Sequence, residues 1–215
     1  QIMKFCKEND YSFSFDRALT YDNVSVNEVN AHLDSLNLPE WLDRRDYQVE
    51  TIVKCLRSRR RLMKSPTSSG KSFMIYALMT WYAHKALIIV PNIGLVNQMK
   101  SDFESYGFTG IIDTSIGGLL KDNDIKADVV ITTWQTAAKQ PAEWMQQFTM
   151  LLNDEVHLAT GQSLQTINEK LTNAEYKLGL TGTLKDTKCH IMQLTGLFGE
   201  VFAPITTRQM IDEGS

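Results

Sequence analysis

The fold is decided by eight residues, Ser65-Pro66-Thr67-Ser68-Ser69-Gly70-Lys71-Ser72, which follow an apolar segment and precede a helical pattern. They match the phosphate-binding consensus G-x-x-x-x-G-K-[ST] at every fixed position except the first, where serine replaces glycine. A tight loop that leads into a helix N-terminus directs its backbone N–H groups at an anion. This context favours a phosphate-binding loop over a chance Gly-Lys-Ser in a serine-rich turn.

Three residues of this loop have chemically defined roles. Gly70 lets the backbone approach phosphate oxygens, and Lys71 places a positive charge on the β- and γ-phosphates. The hydroxyl of Ser72 is the expected protein ligand of Mg²⁺. The other cofactor-binding candidates are the loop residues before them, Pro66, Thr67, Ser68 and Ser69.

Short apolar segments alternate with helical patterns over the rest of the chain. Strands are predicted at 61–64, 86–90, 110–112, 129–132, 150–153 and 177–180, and helices at 47–57, 70–84, 94–105, 163–171 and 187–195. Several strands are uninterrupted apolar runs, which are typical of parallel strands covered on both faces. The alternation predicts an α/β fold with a central, mostly parallel sheet flanked by helices. Ligands of such sheets bind at the carboxyl ends of the strands.

Two adjacent carboxylates, Asp154 and Glu155, follow the predicted strand at 150–153. Next to an apolar strand such a pair is costly, and a lone Asp-Glu pair is usually a solvated turn. Opposite a phosphate loop, however, Asp154 can hold Mg²⁺ and Glu155 can orient and polarise an attacking water as a general base. His157 is then expected to link the nucleotide site to the next motif. These roles require the acidic pair to meet Lys71 at one edge of the sheet.

The bulk composition limits the classes of protein and of partner. The chain has 215 residues and a net charge of −3, so any nucleic-acid contact must be local rather than a basic surface. Its three cysteines are far apart with no C-x-x-C pair, which argues against a zinc site or a disulfide framework and favours a reducing cytoplasm. No apolar run approaches the roughly 18 residues that span a membrane, so no membrane association is predicted.

The segment Asp154-Glu155-Val156-His157 resembles the DEAD/DEAH box of superfamily 2 helicases, and further stretches resemble other motifs of that family in the family's order. The resemblance implies the first of two RecA-like domains, with ATP and Mg²⁺ as cofactors and Lys71 and Glu155 as catalytic residues. Arg45-x-Tyr47-Gln48 resembles the adenine-reading Q motif, which implies that these three residues bind the base. One amide of Gln48 can bond both a donor and an acceptor on adenine.

The remaining motifs are shorter. Thr181-Gly182-Thr183 resembles motif III, which implies coupling between nucleotide state and strand movement. The nucleic-acid contacts implied by the resemblance are Pro91, Asn92, Gly117, Thr133 and Gln135. Two of them have simpler alternatives, because Gly117-Gly118 is first of all a turn and Thr133 equally suits a helix N-cap.

The sequence pattern of residues 1–40 differs from that of the rest of the chain. A half-buried strand is predicted around Tyr11, Phe13 and Phe15, and a helix at 27–36. We interpret 1–40 as the remnant of a preceding DNA-binding domain with its connector, and 41–215 as the ATP-binding domain. Arg57, Arg59, Arg60 and Arg61 form a basic cluster. Favourable charge at a helix C-terminus is preferred there over DNA contact.

The resemblance is strongest to a bacteriophage branch of the family. The stretches that carry it include 66–72, 133–136, 139–141, 153–155, 157–161 and 198–200. They imply an ATP-dependent DNA helicase or translocase that acts on branched DNA in phage recombination and replication-fork rescue, in the cytoplasm of the bacterial host. They also imply a second RecA-like domain that supplies arginine fingers. The alternatives are the motor domain of a type I or type III restriction enzyme, a P-loop kinase acting on a small molecule, and a non-catalytic scaffold.

Overall fold

The computed structural model describes residues 8–12, 23–81, 85–114, 116–117, 125–184, 188–206 and 208–209. The strand predicted around Tyr11, Phe13 and Phe15 extends outside these residues. None of the helices in the described ranges is long and apolar enough to cross a membrane.

Eight helices and seven strands are formed by the described residues. The helices are α1 (Val26–Ser35), α2 (Asp46–Ser58), α3 (Lys71–Trp81), α4 (Ile93–Ser105), α5 (Trp134–Lys139), α6 (Ala142–Met145), α7 (Gly161–Lys170) and α8 (Lys188–Phe198). The strands are β1 (Arg60–Lys64), β2 (Ala86–Val90), β3 (Ile112–Asp113), β4 (Val129–Thr133), β5 (Met150–Asn153), β6 (Tyr176–Thr181) and β7 (Val201–Phe202). A 3-10 turn, Val156–Leu158, follows β5.

The strands form one parallel sheet in the order β3-β4-β2-β5-β6-β1-β7. In its register, Lys64 lies opposite Thr181, and Val90 lies opposite Thr133. The carboxyl ends of the central strands therefore meet at one rim. Because β2 and β4 are neighbours while β5, β6 and β1 form the other side, this rim has two halves.

Apolar residues cover both faces of the sheet. Side chains such as Ile88 and Leu152 pack with helices α1 to α4 in one core cluster. The alternate residues Leu87 and Leu151 pack with helices α5 to α8 in a second cluster. Because successive strand residues point to opposite faces, two layers of helices bury uninterrupted apolar strands. This arrangement confirms the predicted α/β architecture.

Helix α1 packs on the same core as the helices that follow it. Ser25 begins it with a capping box, in which Glu28 N–H donates to Ser25 Oγ and Ser25 N–H donates to Glu28 Oε2. Val29 and Leu33 are fully buried in the first core cluster. Arg57 Nε of α2 also donates to the carbonyl of the residue preceding the cap, at 2.6 Å. The helix predicted at 27–36 is confirmed, whereas the domain division near residue 40 stays a prediction.

Several element boundaries differ from the prediction for local reasons. Strands β2 and β5 have the predicted bounds, whereas β3 is Ile112–Asp113 rather than 110–112. Helix α7 begins at Gly161 because Thr160 caps it, with Ser163 N–H donating to its hydroxyl. Helices α5 and α6 and strand β7 were not predicted, since each is shorter than two helical turns or a usual strand. Helix α3 is described as far as Trp81, and residues 82–84 of its predicted extent lie outside the described residues.

Candidate nucleotide site

The phosphate loop between β1 and α3 is held closed by its own serines. The buried hydroxyl of Ser65 donates to that of Ser69 at 2.6 Å, across the loop. The backbone N–H of Ser65 donates to Thr181 O at 2.9 Å, which ties the loop to the end of β6. The consensus has glycine at the position of Ser65. The serine found there was the sequence signal that this side chain has a structural role. Sequence reasoning did not identify the cross-loop bond.

Gly70 is required by both backbone conformation and space. Its φ is +75°, in the left-handed region, and a Cβ built on it would lie 2.3 Å from Gln48 Nε2. Ser68 also adopts a left-handed φ, +66°, which costs an L-residue free energy that glycine does not incur. The loop thus has its strained backbone where the amides are presented to a ligand.

Lys71 and Glu155 form an ion pair, with Lys71 Nζ 3.0 Å from Glu155 Oε1. The ammonium group also donates to Pro66 O at 3.3 Å and to Ser65 O at 3.5 Å. Both charged side chains are largely buried, with 11% and 20% of their surface exposed. The phosphate loop and the acidic motif, remote in the chain, therefore meet at one rim of the sheet, as the predicted site requires.

Asp154 is a buried carboxylate with a disfavoured charge. It is 9% exposed. Burial, followed by the negative charge of Glu155, raises the pKa of Asp154 to about 6, although Lys71 and the N–H of Glu155 act in the opposite direction. Ser72 is the second residue of α3, directly after Lys71. A carboxylate and a hydroxyl are oxygen ligands of the type Mg²⁺ prefers, and a cation would stabilise the charge that burial disfavours. The side chains of Ser72 and Asp154 therefore fit Mg²⁺, the predicted ion.

Glu155 is oriented by contacts at both carboxylate oxygens. Oε1 contacts Lys71, and Oε2 accepts the backbone N–H of Gly182 at 3.0 Å. The residue itself has φ 46° and ψ 46°, a left-handed conformation that turns the chain sharply after β5. Because its φ is strained, this backbone geometry must be held by the surrounding contacts. Glu155 is thus bonded to the phosphate loop on one side and to the residues after β6 on the other.

His157 bridges Glu155 and the Thr181-Gly182-Thr183 segment. The hydroxyl of Thr181 donates to Thr183 O at 2.6 Å, so toward the imidazole it can only accept. His157 Nδ1 lies 2.7 Å from this hydroxyl and 3.3 Å from Glu155 Oε2. The hydrogen-bond pattern therefore assigns a proton to Nδ1, while Nε2 lies 3.3 Å from Thr183 Oγ1. The contact that the sequence predicted between His157 and the next motif is present.

The side chains of Tyr47 and Gln48 both bond to the phosphate loop. Tyr47 Oη and Gln48 Nε2 each donate to Ser69 O at 3.0 Å. Gln48 Oε1 accepts the backbone N–H of Arg45 at 3.1 Å, and Arg45 Nη1 donates to Tyr47 Oη at 3.4 Å. Gln48 is only 5% exposed. Each end of its amide therefore makes one bond within the chain and keeps one N–H or one lone pair for a further partner. The base contact predicted for Gln48 stays a prediction.

The nucleic-acid candidates lie on the other half of the rim, at or after the ends of β2, β3 and β4. Asn92 caps α4 by accepting the N–H of Leu95 at 3.0 Å, directly after the half-buried Pro91. Thr133 caps α5, which confirms the N-cap alternative for this residue. Gly117 N–H donates to Thr136 Oγ1 at 3.1 Å, so the loop after β3 meets the start of α5. Gln135 is exposed beside them, whereas Gly118 lies outside the described residues.

The arginines of the basic cluster mostly have partners within the chain. Arg57 Nε donates to Val24 O, and Arg61 Nη1 lies 3.3 Å from Glu200 Oε2. Arg59 adopts a left-handed φ of 54° as the C-cap of α2 and lies over the ring of Tyr176. These contacts support the structural interpretation of the cluster.

Comparisons with known proteins agree with this geometry. A family model described as "Type III restriction enzyme, res subunit" (ResIII) matches residues 42–186, which include both halves of the site. The chain belongs to the ResIII family. The ATP-dependent DNA helicase uvsW of Enterobacteria phage T4 is 39% identical over the whole of this chain and 45% of that protein. The DNA 3'-5' translocase XPB2 of Sulfurisphaera tokodaii is 28% identical over 84% of this chain and 40% of its own length.

Solved helicase structures share the fold. The crystal structure of the UvsW helicase from bacteriophage T4 superposes with a TM-score of 0.83 and 36% identity, over 95% of this chain and 77% of that one. The Hef helicase domain of Pyrococcus furiosus superposes with a TM-score of 0.60 at 20% identity, over 79% of this chain and 40% of that one, and shows the fold alone. The ResIII chain is therefore a homologue of UvsW with a RecA-like helicase domain. It spans less than half the length of the two full-length relatives.

Proposed function

We propose that this chain is the ATP-binding half of a DNA helicase or translocase that acts on branched DNA in phage recombination and replication-fork rescue. The observation that carries the proposal is the 3.0 Å contact between Lys71 of the phosphate loop and Glu155 of the acidic motif. A loop that cradles phosphates and a carboxylate that activates water are the two parts a nucleotide hydrolase must bring together. Homology to UvsW supports DNA as the substrate on which the motor acts.

Each residue of the site has a proposed task. The backbone amides before Gly70 and the ammonium of Lys71 bind the β- and γ-phosphates. Ser72 and Asp154 hold Mg²⁺, which neutralises phosphate charge when bound. Glu155 accepts a proton from the attacking water and keeps it positioned. Thr67, Ser68 and Ser69 complete the phosphate cradle.

The ion pair between Lys71 and Glu155 orders these steps. While Lys71 Nζ contacts Glu155 Oε1 at 3.0 Å, that carboxylate oxygen is engaged by the ammonium group. A triphosphate competes for the ammonium group because it carries more negative charge than one carboxylate. Binding of nucleotide therefore draws Lys71 toward the phosphates and leaves Glu155 to activate water, so the general base becomes available only in the loaded site.

His157 connects this event to the next segment of the chain. Glu155 Oε2 contacts both Gly182 N–H and His157, and His157 contacts the hydroxyls of Thr181 and Thr183. A displacement of the Glu155 carboxylate therefore changes the bonding of the segment after β6. We propose that this segment passes the nucleotide state to the DNA-contacting half of the rim, at Pro91, Asn92, Gly117, Thr133 and Gln135.

The parent protein needs a second RecA-like domain. Arginine fingers from such a domain are worth about 10³ to 10⁵ in rate in related enzymes. We infer that the parent is a DNA-dependent ATPase in the cytoplasm of the phage's bacterial host, and that this chain alone binds nucleotide but hydrolyses it very slowly. The restriction-motor alternative is less favoured because a relative that matches the whole chain is a phage helicase. The kinase alternative lacks support from any of these relatives.

A melting experiment tests the nucleotide site. Ligand at about 100 times its dissociation constant stabilises a fold by about 2.7 kcal/mol, which raises the melting temperature of a domain this size by roughly 5–10 °C. We expect this shift for the chain with Mg-ADP and its loss in Lys71→Ala. No shift at millimolar nucleotide would contradict the proposed site. Rapid DNA-stimulated ATP hydrolysis by the isolated chain would contradict the need for a second domain.

A further inference from the structure

A pocket of about 430 Å³ is lined by residues of α7 and α8 and by the first residues of β1 and β6. Arg60 begins β1, and Lys177 is the second residue of β6. Both lie at the amino ends of parallel strands, so the pocket is at the edge of the sheet opposite the nucleotide site and the nucleic-acid candidates. None of the residues assigned above to those two sites lines it.

Two positively charged side chains lie side by side in this pocket. Arg60 and Lys177 are opposite each other in the register of β1 and β6, so their side chains leave the same face of the sheet. Lys177 is only 7% exposed, and its Nζ donates to Asn168 O at 3.1 Å. Burial, followed by the positive charge of Arg60, lowers the pKa of Lys177. Within the described part of the chain, neither cation has an acidic partner at ion-pair distance.

The lining favours a carboxylate of a peptide over a phosphate. Glu169 places one negative charge against the two positive ones, and the resulting net charge of +1 matches a carboxylate better than a phosphate dianion. The guanidinium of Arg60 can bond both oxygens of a carboxylate. Asn168 also lines the pocket, and its buried Oδ1 has no hydrogen-bond partner among the described residues. A peptide carries N–H donors as well as carboxylates, whereas a DNA backbone lacks the 2′-hydroxyl and has no donor. Met192, which is 70% exposed, adds an apolar contact beside the charges.

We propose that this pocket binds an acidic side chain of a partner protein between Arg60 and Lys177, with an apolar neighbour of that side chain packed on Met192. The chain has a net charge of −3, so the two cations are a local attraction on a protein that otherwise repels acidic partners. Because the pocket is at the opposite edge of the sheet, the partner does not compete with nucleotide or DNA. This inference does not depend on the proposed nucleotide function.

Titration calorimetry on the 215-residue chain tests the pocket with a defined probe, a peptide of alternating glutamate and leucine with blocked ends. We expect the parent chain to bind this peptide and Arg60→Gln to weaken binding about tenfold, as for the loss of a charged hydrogen bond. The same peptide with glutamine in place of glutamate should not bind. Lys100→Gln removes the same charge from α4, on the other face of the sheet. It is the matched control and should change nothing.

A second variant and a second probe separate the possible failures. Lys177→Met removes the buried charge and should weaken peptide binding by a similar factor; if a melting scan shows it unfolded, the exposed Arg60 still provides the test. The inference is overturned if the parent does not bind the glutamate peptide at millimolar concentration, if the glutamine peptide binds equally, or if Arg60→Gln binds like the parent. It is also overturned if a short single-stranded oligonucleotide displaces the peptide and loses its own binding in Arg60→Gln, because the occupant would then be nucleic acid. The melting shift with Mg-ADP should be equal in Arg60→Gln and the parent, so a failure here leaves the proposed function intact.

Discussion

Replacing Asp154 by asparagine should make the metal-free protein more stable at neutral pH. The pKa of this carboxyl rises from the usual 3.8 to about 6 in the folded protein. At about 1.4 kcal/mol per pKa unit, the free energy of unfolding is therefore lower by roughly 3 kcal/mol when Asp154 is ionised. Asparagine removes the charge and keeps an oxygen to accept Glu155 N–H, the bond that Asp154 Oδ1 makes at 3.0 Å.

The pH dependence has a defined sign. Because the folded pKa lies above the unfolded one, the folded protein holds the proton between pH values of about 4 and 6. Stability therefore falls as the pH rises through this window, and the full cost is present only above it. We expect Asp154→Asn to gain about 2–3 kcal/mol near pH 7.5, roughly 5–10 °C in melting temperature. About half of this gain should remain at pH 5.

Urea unfolding in the presence of a chelator measures this gain at both pH values. The same variant should lose the melting shift produced by Mg-ADP, because it lacks the carboxylate proposed to hold Mg²⁺. Greater stability with lost binding is the trade-off expected of a strained functional site. An asparagine variant that is less stable than the parent at pH 7.5, or a gain equal at both pH values, would refute the electrostatic reasoning.

Three other substitutions test local features. Ser68→Gly should raise the free energy of unfolding by about 1 kcal/mol, because glycine adopts a left-handed φ without the cost of a Cβ. Urea unfolding measures this gain, and the control Ser68→Ala should show none. Gly70→Ala should lower the free energy of unfolding by more than about 1 kcal/mol, because the added Cβ would lie 2.3 Å from Gln48 Nε2. The variant should also lose the melting shift with Mg-ADP. Unchanged nucleotide binding would contradict the predicted steric clash. Leu33→Ala should lower the free energy of unfolding by about 2–5 kcal/mol, in one cooperative transition. The control Asn27→Ala, on the exposed side of the same helix, should change it little. A negligible loss at the fully buried Leu33 would show that α1 does not unfold together with the sheet.

Local sequence was sufficient wherever a segment's own pattern determines its structure. The bounds of β2 follow from an uninterrupted apolar run, and β5 is an apolar run that ends at Asn153, before the acidic pair. Such runs are typical of strands covered on both faces. The phosphate loop is specified by glycine and lysine at a fixed spacing before a helix. Short elements such as α5, α6 and β7 were missed because their existence depends on packing against neighbours rather than on a repeating pattern.

The sequence by itself determined the parallel α/β architecture, the phosphate loop and the acidic pair, since each depends on residues adjacent in the chain. Only the tertiary structure brought Lys71 to Glu155 and divided the rim into two halves, because strand order decides which carboxyl ends are neighbours. It also showed Gln48 bonded to the phosphate loop. Groups distant in sequence compete for hydrogen bonds with the same side chain, and a local sequence pattern does not show which bond forms.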